Sequence, residues 1–174
     1  MAAGGGIYET GPMPSVARLG AQDWERLREV RLRALADAPD AFGSTWSREA
    51  GLSAREWRSM IERNPWWISV DGGSDAGLVA GGAHHERDIP WVYSMWVDPT
   101  RRGTGLAILL LDEVVAWARG TGAASLGLDV TDRAPEARRL YERYGFTANG
   151  RTFELPRDPA IRLVEMVLDL RAGV

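Results

Sequence analysis

Two glycines set between arginines and an apolar run carry the first chemical signal: residues 98–107 read D-P-T-R-R-G-T-G-L-A. Leu106, Leu110, Val114 and Trp117 recur at helical spacing, so Gly103 and Gly105 stand where a loop turns into an amphipathic helix. The N–H groups of a first helical turn have no partner inside the helix, and glycine lets a ligand come close to the backbone. That combination binds anions, phosphates above all. Charge-assisted hydrogen bonds contribute about 1.5–3 kcal/mol each against about 0.3–1 for the helix dipole, so a fan of amides outweighs the dipole. Arg101 and Arg102 add positive charge at the rim. Two other phosphate loops do not fit. A Walker loop needs a lysine, of which the chain has none, and the third glycine of a dinucleotide fingerprint falls on Ile108.

A second stretch, residues 126–146, reads L-G-L-D-V-T-D-R-A-P-E-A-R-R-L-Y-E-R-Y-G-F: a strand, a loop with Pro135 at its end, and a helix stopped by Gly145. Together the two stretches resemble the GCN5-related N-acetyltransferase (GNAT) superfamily. Its acyl-CoA loop follows the pattern Gln/Arg-x-x-Gly-x-Gly/Ala, and Arg102, Gly103, Thr104, Gly105, Leu106 and Ala107 fit it. The helix that follows often closes with Ala-x-x-Leu-Tyr-x-x-x-Gly-Phe, matched by Ala137, Leu140, Tyr141, Gly145 and Phe146.

The resemblance implies direct acetyl transfer from acetyl-CoA to an amine, with no covalent enzyme intermediate; no metal is expected, because neighbouring residues on a strand, such as His84 and His85, point to opposite faces. Backbone from residues 102–107 would anchor the pyrophosphate, with Arg101 beside it. Backbone of Met95, Trp96 and Val97 would face the thioester carbonyl, where negative charge develops. The pantetheine arm would lie where that strand splays from the next, near residues 128–130. Tyr141 would stand beside the sulfur as general acid, although its place on the apolar stripe of its helix also suits packing. The family often has a Glu about four residues before the Val-x-Pro end of the first strand; Tyr93 and Ser94 stand there instead. Asn is frequent where Ala134 stands.

Candidates for the missing base are His84 and His85, then Glu86, with Ser94 as a relay through water. Imidazole titrates near a pKa of roughly 6.5. Strand alternation would turn only one of the two histidines toward the cleft, and a solvated hairpin end is the plainer reading of the pair. On the acceptor side, residues 37–46 read D-A-P-D-A-F-G-S-T-W, similar to a stretch in one branch of the superfamily. Phe42, Ser44 and Thr45 are therefore substrate-side candidates, with Trp96 and Asp129 on the flanking strands; Phe42 serves equally as a core plug.

These residues need a scaffold. Residues 1–13, with three consecutive glycines, read as a flexible leader, and 14–174 as one domain. A short strand at 14–19 precedes a helix capped by Asp23, and Ser53 with Glu56 forms a capping box for a second helix ended by Asn64 and Pro65. Strands are expected at 66–70, 78–85 and 91–97 as an antiparallel meander. A further strand at 125–130 lies parallel after its helical crossover, and 146–155 with 161–170 close the sheet. The expected class is α/β (α+β): a single GNAT-like domain with a mixed sheet of about six to seven strands and about four helices on both faces.

Composition narrows the partners. A net charge of −3 gives no electrostatic reason to expect nucleic acid or an anionic membrane. With no cysteine there is no disulfide, thiolate nucleophile or Cys-based zinc site. No secretion signal or spanning run is apparent, so the cytoplasm is the expected compartment. The leading expectation is an acetyl-CoA-dependent N-acetyltransferase acting on a small-molecule amine. A protein or peptide amine is the alternative acceptor, an acyl-CoA-binding module without turnover the alternative class, and a homodimer is left open by the resemblance.

Overall fold

A computed structural model describes residues 13–171, so the expected leader lies outside the described residues apart from Met13. The chain runs β1 (Ser15–Arg18), α1 (Trp24–Asp37), α2 (Trp46–Ala50), α3 (Ala54–Arg63), β2 (Trp66–Asp71), β3 (Ser74–Ala83), β4 (Pro90–Val97), α4 (Leu106–Gly120), β5 (Ser125–Thr131), α5 (Pro135–Tyr144), β6 (Thr147–Leu155) and β7 (Asp158–Asp169). Seven strands form one sheet in the order β1-β2-β3-β4-β5-β7-β6. Every neighbouring pair is antiparallel except β4 with β5. No helix among the described residues is long and apolar enough to cross a membrane.

The sheet separates two cores. On one face Leu27, Val30, Ala34 and Leu35 of α1 and Trp57 and Ile61 of α3 pack against Ile68, Leu78 and Trp96. On the other, Leu106, Leu110, Leu111 and Val114 of α4 meet Val79, Val92, Leu126 and Leu128, with Tyr141 and Phe146 closing the end. Burying each such Leu or Val contributes about 1.5–3 kcal/mol, so the amphipathic stripes decide which face each helix covers. The expected capping box is present: Ser53 N–H donates to the Glu56 carboxylate at 2.7 Å, and Glu56 N–H donates to Ser53 Oγ at 3.4 Å.

One irregularity positions everything that follows. Between β3 and β4 the register passes from Leu78↔Trp96 to Ala80↔Tyr93, giving β4 one extra residue. Ser94 takes up the bulge with φ 59°, the left-handed region that non-glycine residues seldom occupy. The extra residue reverses the alternation, so Val92 faces α4 while Trp96 lies under α1. β4 also leaves its parallel neighbour here. Only Trp91↔Gly127 and Val92↔Leu128 are paired, and beyond them the two strands part.

Several boundaries differ from those the sequence pattern predicts. Gly72 and Gly73 have φ of 58° and 77°, the two-residue turn of a tight hairpin, so β3 begins at Ser74 rather than 78. It ends at Ala83, which leaves His84 and His85 in a loop and removes the alternation argument for them. Among the described residues there are five α-helices, in line with the expected number, and the short α2 is capped by Thr45, which accepts a hydrogen bond from Arg48 N–H at 3.3 Å. The last hairpin is tighter than expected, with Leu155 already paired to Asp158.

Candidate active site

The loop between β4 and α4 is built by its own residues. Asp98 accepts from Thr100 N–H at 3.0 Å and Thr100 Oγ1 at 2.7 Å, contacts that hold its carboxyl below the usual range. Thr104 Oγ1 donates to Arg101 O at 2.6 Å. Gly103 and Gly105 both have positive φ, 80° and 91°, and no heavy atom lies within 4 Å of where a Cβ would project from either. The first amide of α4 with a backbone acceptor is that of Ile108, on Gly105 O at 3.0 Å. The N–H groups ahead of it, from 103 to 107, have no backbone acceptor among the described residues. An exposed, donor-rich cradle results, and it fits a diphosphate. The two arginines are engaged elsewhere: Arg101 pairs with Asp71 at 3.1 Å, while Arg102 reaches Asp37 at 2.6 Å and Val97 O at 3.1 Å. Asp37 also accepts from Trp96 Nε1 at 2.8 Å, which ties the loop to the end of α1.

Where β4 and β5 part there is a cleft of about 80 Å³. Its walls are Val92, Tyr93, Ser94 and Met95 on one strand and Leu128, Asp129, Val130 and Thr131 on the other. Tyr141, Ala137 and Ala134 close the α5 side, and Ala41 with Phe42 closes the opposite side. Tyr141 is buried, and burial pushes its phenol well above the ordinary range, so it keeps its proton. Tyr144, further along α5, instead donates to Asp112 at 2.7 Å.

The structure thus gathers Tyr141, Ser94, Met95, Asp129 and Phe42 at one cleft, with the 103–107 cradle at the end of β4. It does not bring the others there as side chains. The Trp96 ring is buried under α1, and Val97 packs in the opposite core. Ser44 and Thr45 do not line the cleft, Thr45 being occupied as a cap. His84 and His85 stack on each other with ring centroids 4.6 Å apart, His84 lies 4.4 Å from the Trp91 ring, and neither is a cleft wall. Burial first, then the charges of His85 and Arg87, lower the His84 pKa. No group of three or more metal-ligating side chains occurs among the described residues.

Sequence reasoning missed what stands behind Asp129. Asp129 on β5 is the register partner of Glu165 on β7. Glu165 is 3% exposed and accepts from Arg87 Nη2 at 2.8 Å, Arg87 Nε at 3.1 Å and Asn149 Nδ2 at 2.5 Å. Burial opposes its ionisation, yet those hydrogen bonds and the Arg87 charge hold its carboxyl below the usual range. Asp129 has weaker support: its Oδ1 is shielded from solvent and has no hydrogen-bond partner, and the side-chain hydrogen bond that favours its ionisation comes from Trp91 rather than an arginine. Burial and then the Glu165 charge push its pKa up to about 6, against smaller lowering effects of Trp91 and Arg87. An acid inside the apolar run L-V-E-M-V is the one visible signal for Glu165. Also missed are the straps on the Phe42 segment. Arg157 donates to Phe42 O at 2.9 Å and to Pro39 O, and Arg133 pairs with Asp40 at 2.9 Å.

Comparison with known proteins agrees with this geometry. A family model, Acetyltransferase (GNAT) family, matches residues 25–146. A mycothiol acetyltransferase of Thermobispora bispora is 30% identical over 131 residues, covering 72% of this chain but 43% of that protein. The chain therefore spans less than half the length of that relative. An acetyltransferase of Agrobacterium fabrum is 30% identical over 133 residues, 75% of this chain and 95% of the other. A Salmonella typhimurium protein solved with its cofactor acetyl-CoA has the same fold, with a TM-score of 0.72 at 18% identity over 94% of this chain and 97% of that one. With the family matched over most of its length and the sheet parting where that fold parts, this chain belongs to the GNAT family of acetyltransferases.

Proposed function

We propose that the protein moves an acetyl group from acetyl-CoA directly to the primary amine of a small molecule. The observation that carries the reading is the parting of β4 and β5 beyond Val92, with a buried tyrosine on one side of the gap and the open amide cradle at its end. In this reading the amides of residues 103–107 hold the pyrophosphate. The unpaired β4 edge from Tyr93 to Val97 offers backbone groups to the pantetheine arm and the thioester oxygen. Tyr141, kept protonated by burial, supplies the leaving sulfur with its proton. Bound acetyl-CoA supplies an already activated acyl group, so positioning is the larger task, worth about 7–11 kcal/mol against about 3–5.5 for a general base.

A small acceptor is favoured by how the far side is tied down. Phe42 is buried over the cleft, and Arg157 and Arg133 strap its segment to the β6–β7 turn and the β5–α5 loop. An extended peptide would need a trough there. The test is CoA release from acetyl-CoA with phenethylamine, spermidine, lysine and an alanine-ended peptide as acceptors. Release dependent on the small amines is the expected result. Faster release with the peptide would overturn the acceptor class, and acetyl-CoA binding without amine-dependent release would make the protein a binding module.

A further inference from the structure

Asp129 is the carboxylate of the cleft, and its Oδ1 is hidden from solvent without a hydrogen bond. Such a state costs about 1–3 kcal/mol, or more for a charged group. Native folds leave few such groups, and a catalytic role is one reason for keeping one. Asp129 lies across the gap from the β4 bulge, on the face of β5 opposite Leu128 and Val130, which pack toward α4. Tyr141 closes the α4/α5 side and Phe42 the other, so an acceptor entering past Phe42 meets Asp129 before it meets the acyl group.

Resting on the acetyltransferase reading above, we propose that Asp129 receives the proton of the incoming ammonium and that Glu165, clasped by Arg87 and Asn149, is the positioning residue behind it. The Asp129 carboxylate takes one proton from the ammonium, and the freed nitrogen lone pair forms the C–N bond to the acetyl carbon. The C–S bond breaks with its electron pair on sulfur, which takes the Tyr141 proton. The second nitrogen proton restores Tyr141, and the proton on Asp129 leaves to solvent. Acetyl-CoA and an ammonium thus become the amide, CoA and one proton.

The groups facing Asp129 explain why it, and not Glu165, serves. From β7 comes Glu165, register partner on the same face and held ionised by Arg87 of the β3–β4 loop. From β4 come the Trp91 indole and the Tyr93 phenol, the latter donating to Ala83 O at 3.1 Å. The Glu165 charge also reaches His84, in the same loop as Arg87, where it raises the imidazole pKa against larger lowering effects. Arg87 is thus committed to one acid of the pair, and the other is left beside a fixed negative charge, which favours uptake of a proton. Asn149 lies in an irregular stretch of β6, where the register jumps from Ala148 to Thr152, and this brings its amide to Glu165.

Two measurements test this. In protein carrying carboxyl-13C aspartate, the resonance that vanishes in Asp129→Asn should titrate near pH 6 in the wild type and about one unit lower in Glu165→Gln. With the fastest amine of the panel, wild-type kcat/KM should be flat above about pH 6 and fall about tenfold per unit below it. Asp129→Asn should lower kcat/KM at neutral pH by about 10²–10⁴ and leave it rising about tenfold per unit toward the pKa of the amine, because only neutral amine then reacts. Its acetyl-CoA affinity should match the wild type. Titration of Asp129 near pH 4 in the wild type, or an unchanged profile in Asp129→Asn, would overturn the assignment. Failure of the wild type to bind acetyl-CoA would instead overturn the reading of the fold's activity and leave the carboxyl titration standing. The titration needs no acceptor, and the wild type with Asp129→Asn alone decides the matter if Glu165→Gln does not fold.

Discussion

The side of the cleft proposed for the cofactor uses residues that are neighbours in sequence: 103–107 form the cradle, and 98–104 hold its shape through their own side chains. On the side proposed for the acceptor, Phe42, Arg87, Asp129, Asn149, Arg157 and Glu165 arrive from six separate places and meet through strand register and long-range hydrogen bonds. One side is therefore set by local backbone conformation, which two positive-φ glycines permit. The other is set by long-range pairing, which any slip of β5 against β7 would scatter. Damage to the first side should appear in cofactor affinity, and damage to the second in acceptor kinetics.

The largest expected effect is on the cradle. Gly105→Val places a β-branched residue at φ 91°, where its Cβ would project into the space a diphosphate needs. Affinity for acetyl-CoA measured by calorimetry should fall about 100-fold or more, which is about 2.7 kcal/mol. Tyr141→Phe should lower kcat by about 10² and leave acetyl-CoA affinity intact, since only the transferable proton is lost. Wild-type turnover in that variant would return Tyr141 to packing alone. Arg157→Ala frees the Phe42 segment and should raise the acceptor KM about 3–10-fold with cofactor affinity unchanged. If cofactor affinity moved equally, the two sides would not be separable.

Gly127→Ala probes the hinge they share. An added Cβ would sit 2.1 Å from Trp91 Cζ3, at one of the two pairs that join β4 to β5. Overpacking there costs about 1–3 kcal/mol, and the melting temperature should drop about 2–4 °C per kcal/mol. The smallest effect is expected from His85→Ala: its side chain is 81% exposed and off the cleft, so kcat/KM should stay within about twofold.

The same contrast explains which parts of the molecule are legible in the chain itself. Gly103, Gly105, Pro135 and Gly145 act through their own φ angles, so the loop and both ends of α5 can be read residue by residue. Alternation likewise yields the meander and the parallel crossover. It fails at Ser94, because a bulge adds a residue without a compositional mark, and Trp96, by parity a companion of Val92, lies on the opposite face. The histidines mislead for a related reason: a tight turn at Gly72 and Gly73 moves the hairpin forward and strands the pair beyond its end. Asp129 is legible as an acid on the right strand, whereas its tuning by Glu165 and Arg87 depends on contacts 36 and 78 residues apart in sequence, respectively Asp129 to Glu165 and Arg87 to Glu165.

The central claim is that backbone donors at residues 103–107 seize a diphosphate and so aim an acyl group into the gap between β4 and β5. Calorimetric titration of the folded protein with CoA, in parallel with Gly105→Val, tests it most directly. The account predicts saturable binding in the wild type that disappears in the variant. Absence of heat in the wild type, or equal affinity in both, would contradict it.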